Sequence, residues 1–151
     1  MRKRTYCRFL SMILAFVLLF AVPVAAQDED VVIVLDPGHG GLDSGIAEAY
    51  DGVEVWESNL ALKIAGYCRD YLLENYENVQ VHLTRESDKK VTLEDRVAFA
   101  DNLEADYMLS IHINGDDGYA RGALAIVPRG RYHAEQGEAS KVTAEACLEE
   151  L

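Results

Sequence analysis

Val31-Val32-Ile33-Val34-Leu35-Asp36-Pro37-Gly38-His39-Gly40-Gly41 is the stretch on which the fold turns. Its opening is an uninterrupted apolar run in which every residue but Leu35 is β-branched. Such a run reads as a strand buried on both faces, the pattern of a parallel sheet. Pro37-Gly38 stops it and leaves His39 just past the strand end. A second run, Tyr107-Met108-Leu109-Ser110-Ile111, also reads as a strand and is followed at once by His112.

Helical and extended patterns alternate between and around these runs. Residues 40–56 are rich in Gly and Asp and read as a loop. A helix is expected over 58–75, with Leu60, Ile64, Tyr67, Cys68 and Tyr71 on its apolar face. Val79-Gln80-Val81-His82-Leu83 alternates and reads as a strand. Thr92 opens a second helix with Asp95 three residues on, and Val97, Ala100 and Leu103 form its apolar side. Gly122–Val127 is expected to be a fourth strand and residues 138–150 a third helix. This order predicts an α/β domain: three layers, with a mostly parallel, twisted sheet flanked by helices. Ligands of such sheets bind beyond the carboxyl ends of the strands, where His39 and His112 fall.

The first 26 residues read as a cleaved signal peptide. Arg2, Lys3, Arg4 and Arg8 are its basic region, Phe9 to Val22 its apolar region, and Val24-Ala25-Ala26 the small residues before cleavage. Pro23 interrupts a run already short for a membrane span. A secreted, cell-wall or periplasmic location is expected, with no membrane contact beyond the signal, and residues 27–151 as one domain. All 26 acidic residues but only ten of the 14 basic ones lie after Ala26, a balance of about −16 for that domain. So acidic a chain repels a phosphate backbone, which argues against nucleic acid as a partner. A monomer is the expected state. Cys68 and Cys147 are expected to be buried thiols.

Glu57 precedes the first helical pattern and falls between the two histidines in sequence. Two imidazoles and a carboxylate are the ligand set of a catalytic zinc whose fourth position stays open to water. The metal lowers the pKa of such a water from about 15.7 to near 7 and can polarise a carbonyl, which suits amide or ester hydrolysis. Imidazole ligands need hydrogen-bond acceptors to orient them, and Asp36, Ser110 and Asn114 are candidates by proximity. A phosphate-binding Gly-x-Gly-x-x-Gly reading starting at Gly38 breaks at Asp43.

The chain resembles the zinc-dependent N-acetylmuramoyl-L-alanine amidases of bacterial cell walls. The resemblance rests on Val34–Gly41 with Asp43 and Gly45, on Glu57-Ser58-Asn59-Leu60-Ala61-Leu62-Lys63-Ile64-Ala65, on Leu83-Thr84-Arg85 with Asp88, on Leu93-Glu94-Asp95-Arg96, and on Ser110-Ile111-His112-Ile113-Asn114. Gly122 stands where the family's next strand starts. The resemblance implies Zn²⁺ held by His39, Glu57 and His112. It also implies a peptidoglycan substrate, cleaved at the amide between N-acetylmuramic acid and L-alanine in wall remodelling or autolysis. Asn114 is a substrate-contact candidate. Arg85 and Arg96 belong to the shared pattern and are read as structural, with Asp101 or Glu94 as the expected partner of Arg96. The family's general base is a glutamate on a late strand. Glu149 and Glu150 stand in a helical setting, so no catalytic residue is assigned within 1–151, and the chain reads as lacking the last strand at its C-terminus, with an exposed sheet edge. A non-catalytic peptidoglycan-binding domain, or an inactive fragment, is the alternative reading.

Overall fold

A computed structural model of the chain describes residues 29–115, 122–128 and 134–150. The signal segment expected over 1–26 lies outside them. The elements in order are β1 (Val31–Pro37), β2 (Ala47–Tyr50), β3 (Val53–Trp56), α1 (Glu57–Asn75), β4 (Val79–Leu83), α2 (Leu93–Asn102), β5 (Tyr107–Ile111) and α3 (Ala134–Glu149). The result is the expected α/β architecture, a parallel sheet flanked by helices.

The sheet order is β4-β1-β5. β1 is central and pairs in parallel with both neighbours, Leu35 opposite Leu83 on one side and Leu109 on the other. The chain leaves β1 for β4 and returns across β1 to β5. By the right-handed rule for such connections, crossovers in these opposite directions put helices on opposite faces, the three-layer arrangement expected. The central position of β1 explains its unbroken apolar run: Val34 and Leu35 are fully buried. Leu35, Ala65 and Leu83 form the core, with Ile33, Cys68, Val81 and Ile111 packed against it.

Several expectations are corrected. The loop expected over 40–56 contains an antiparallel hairpin, with Ala47 opposite Trp56 and Tyr50 opposite Val53 around an Asp51-Gly52 turn. Its alternation is hidden because both faces are largely exposed, so side-chain polarity carries little register information. α1 also buries a face that meets the expected one only at Cys68 and, in part, Leu60. Ser58, Ala61 and Ala65 meet the sheet, while Ile64, Tyr67 and Tyr71 are exposed. Small residues let the helix approach closely, and a search for large apolar residues selects the wrong side.

α2 is opened as expected, with Thr92 Oγ1 accepting from Asp95 N at 3.1 Å. Its buried residues are Ala100 and, unexpectedly, Arg96, whereas Val97 is exposed. Gly122–Val127 is not a strand, and Leu124 and Ile126 are exposed. Strand propensity alone does not supply the ladder of hydrogen bonds that a partner must provide. Among the described residues β5 is therefore an edge, and Tyr107, Met108 and Leu109 are each two-fifths to one-half exposed. The third helix begins at Ala134, earlier than expected. Cys68 is half-buried and Cys147 exposed, both as free thiols. Burial, with a smaller contribution from Cys147, pushes the Cys68 thiol up. No helix among the described residues is long and apolar enough to cross a membrane.

Candidate metal centre

The register of the sheet brings the two histidines together. Pro37 pairs with Ile111, so His39 and His112 emerge side by side just past adjacent strand ends. Their rings meet edge to face with centroids 4.8 Å apart. The His112 ring also lies over Gly38, where a Cβ would come within 2.3 Å of it.

Glu57 arrives from a third direction as the first residue of α1. Trp56 offers no side-chain cap. The helix N-terminus is closed instead by the loop that carries His39: Glu57 N donates to Ile46 O at 2.8 Å and Ser58 N to Ser44 O at 3.0 Å. These bonds satisfy two of the N–H groups that a helix start leaves open. They also fix the carboxylate against the histidines. Glu57 Oε1 lies 3.2 Å from His39 Nε2 and 3.0 Å from His112 Nδ1. One ligand atom from each of the three residues falls within 4.8 Å of the others.

Glu57 is 5% exposed. Burial is the largest single influence on its carboxyl and acts upward. Hydrogen bonds from Ile46 N and Ile113 N, then His112 and the nearby His39, outweigh it and hold the carboxyl below its ordinary range. Glu57 is therefore an anion at neutral pH.

His39 Nδ1 stands 3.0 Å from Asp43 Oδ2. A hydrogen bond to His39, assisted by one from Gly45 N, holds the Asp43 carboxyl below its usual value. With Nδ1 engaged by Asp43, Nε2 is the ring atom turned to the Glu57 carboxylate at 3.2 Å, where the two could share a cation. Tetrahedral zinc with bonds of about 2.1 Å sets its ligands about 3.4 Å apart, a few tenths from the two carboxylate–imidazole separations here, while all three donor atoms lie within 4.8 Å of one another. The donor set, two imidazoles and a carboxylate, suits a zinc ion.

Asp43 is the functional residue that sequence reasoning passed over in this role. Its position four residues after His39 in a glycine-rich turn was the available signal. Asp36 and Ser110, the expected imidazole acceptors, bond to each other instead, at 2.8 Å. Asn114 is exposed, two residues past His112. Arg96 pairs with Asp36 and not with Asp101 or Glu94. Asp43→Ala is expected to weaken any metal binding at this centre by about 10- to 100-fold, the usual cost of losing a partner that orients a ligand. Competition with a chromophoric chelator measures it. Thermal stability without metal should barely move, because the Asp43 side chain is 60% exposed.

The sequence profile of the N-acetylmuramoyl-L-alanine amidase family matches residues 33–151. Among curated relatives, the sporulation-specific N-acetylmuramoyl-L-alanine amidase of Bacillus subtilis is 44% identical over 88 residues, 58% of this chain and 33% of that protein. The N-acetylmuramoyl-L-alanine amidase AmiC of Escherichia coli is 42% identical over 88 residues, 58% of this chain and 20% of that protein. Among solved structures, the catalytic domain of the amidase CwlV from Bacillus (Paenibacillus) polymyxa var. colistinus superposes with a TM-score of 0.54 at 34% identity, covering 60% of this chain and 49% of that one. The N-acetylmuramoyl-L-alanine amidase of Clostridium difficile 630 gives 0.55 at 31% identity, covering 62% and 49%. The chain thus spans a third or less of those two curated relatives and about half of the two solved chains. Since the profile runs from within β1 past the end of α3, this chain belongs to the N-acetylmuramoyl-L-alanine amidase family.

Proposed function

We propose that this chain carries the metal-binding part of a zinc-dependent hydrolase that cleaves the amide between N-acetylmuramic acid and L-alanine in peptidoglycan, outside the cytoplasm. The observation that carries the reading is the convergence of His39, Glu57 and His112 donor atoms within 4.8 Å. Relatives and structural neighbours named as N-acetylmuramoyl-L-alanine amidases support the substrate class.

Zinc at such a centre activates a water molecule and polarises a carbonyl. The protein's share is positional. Asp43 keeps the proton of His39 on Nδ1, so that Nε2 faces inward. Ile46 N and Ile113 N keep the Glu57 carboxylate ionised and fixed. Asn114, exposed two residues past His112, is the candidate substrate contact. The centre lies at the carboxyl ends of β1 and β5. Residues 1–26 act as the export signal, and 27–151 as the amidase domain.

No described residue is assigned as general base. Glu149 ends α3 and Glu150 follows it, so neither stands on a strand. General acid–base assistance is worth about 10²–10⁴-fold, so a protein without such a group is expected to bind one zinc per molecule and release muropeptides that much more slowly than a relative that has one. Metal analysis and chromatography of digested peptidoglycan test both parts. A chain that takes no zinc overturns the metal reading. Cleavage as fast as such a relative's overturns the reading that no described residue is the base. Zinc and peptidoglycan bound with no cleavage at all favour a binding domain.

A further inference from the structure

His39 has φ 60°, the left-handed conformation. That costs about 1–2 kcal/mol for a side-chain-bearing residue. It persists only where the surroundings hold it. The surroundings here are two buried guanidiniums. Arg96 donates through Nη2 to His39 O and through Nη1 to Pro37 O, both at 2.8 Å. Arg85 donates through Nε to Pro37 O at 2.9 Å and through Nη2 to Gly38 O at 2.7 Å. The three consecutive carbonyls that lead β1 into the first ligand are all taken. Arg85 Nη2 also reaches Ser58 O at 2.8 Å, one residue past Glu57.

We infer that Arg85 and Arg96 are positioning residues for the metal centre, setting the His39 backbone and locking it to the start of the helix that carries Glu57; the inference rests on the metal reading above. Arg85 is 1% exposed. Burial and the neighbouring Arg96 both pull its pKa down, against the attraction of Asp88 and Asp36. Among the described residues it makes no ion pair, and its hydrogen bonds all run to carbonyl oxygens. Burying a charge in that way is costly. A residue needed only for packing would not carry one. The forked donors matter as much as the charge. A lysine ammonium in the same place cannot reach two separated carbonyls in one plane.

The test uses Arg85→Lys and Arg96→Lys, which keep the buried positive charge and lose the fork. Ile33→Ala, in the core at the far end of β1, serves as a control for plain destabilisation. Zinc affinity is read by chelator competition, and the urea midpoint of the metal-free protein is read separately. Each lysine variant is expected to bind zinc about 10- to 100-fold more weakly than wild type, the range for residues that orient ligands. Ile33→Ala is expected to lower the urea midpoint and leave zinc affinity unchanged, since ligand affinity belongs to the folded state. If Arg96→Lys does not fold, Arg85→Lys alone decides. Lysine variants that bind zinc like wild type, or an Ile33→Ala loss as large as theirs, overturn the inference while leaving the metal reading intact. A wild-type chain that takes no zinc overturns that reading, and this inference with it.

Discussion

Gly45→Ala is expected to abolish zinc binding at concentrations that saturate the wild type, while most of the fold's stability survives. A Cβ at Gly45 would stand 2.6 Å from Glu57 Oε2, 2.6 Å from His39 Cδ2 and 2.8 Å from His39 Nε2. Neither neighbour can yield freely. Glu57 Oε2 is held by Ile46 N at 3.0 Å, and the far side of the His39 ring by Asp43. Two of the three proposed ligands must therefore move together. The loss should exceed the roughly 10- to 100-fold that follows removal of an orienting partner. The backbone adds a separate cost, because Gly45 has φ 63° and alanine there pays about 1–2 kcal/mol. Gly52→Ala isolates that part: its φ is 77°, yet nothing lies within 4 Å of its Cβ position. Both variants should lose similar stability in urea, and only Gly45→Ala should lose zinc. Equal zinc affinity in the two would show that Gly45 does not govern the ligands.

The contrast between these glycines shows what a sequence can disclose. Val31–Leu35 and the histidines at strand ends were legible because a continuous β-branched run has few other uses, and a two-residue stop aims the next side chain off the sheet edge. Glu57 was legible only jointly with them. Asp43 and the two arginines were harder. Their partners are a ring nitrogen and backbone carbonyls, and carbonyls leave no trace in residue identity. Arg96 was assigned a local acid because helical spacing makes Glu94 and Asp101 its neighbours, yet it reaches sixty positions back to Asp36. The buried face of α1 was misread for a related reason. Close approach to the sheet selects Ser58, Ala61 and Ala65, while Tyr67 and Tyr71 stay outside. The hairpin at residues 47–56 escaped because neither of its faces is buried, and periodicity reports burial before it reports strand.

Asp36→Ala is expected to cost about 3–5 kcal/mol, the range for removing one partner from a buried ion pair. Asp36 is 4% exposed and stands where all three strands end. It accepts from Thr84 Oγ1, just past β4, at 2.6 Å and from Ser110 Oγ on β5 at 2.8 Å, besides pairing with Arg96 from α2. Alanine would leave the Arg96 guanidinium buried with only carbonyls to face it, close to a second buried guanidinium. Against a typical domain stability of about 5–15 kcal/mol, that removes a large share. The urea midpoint at neutral pH measures it. Asp36→Ala/Arg96→Met should lose less than the two single variants combined, because the stranded charge is gone; contacting residues couple in this way by about 0.5–3 kcal/mol. An Asp36→Ala cost within the roughly 0.5 kcal/mol typical of surface substitutions would mean that the pair is solvated and does not tie the strand ends. Zinc adds a second readout. The Arg96 that Asp36 neutralises also holds the His39 carbonyl, so freeing the guanidinium to seek water should loosen the ligand loop and weaken metal binding in whatever protein remains folded.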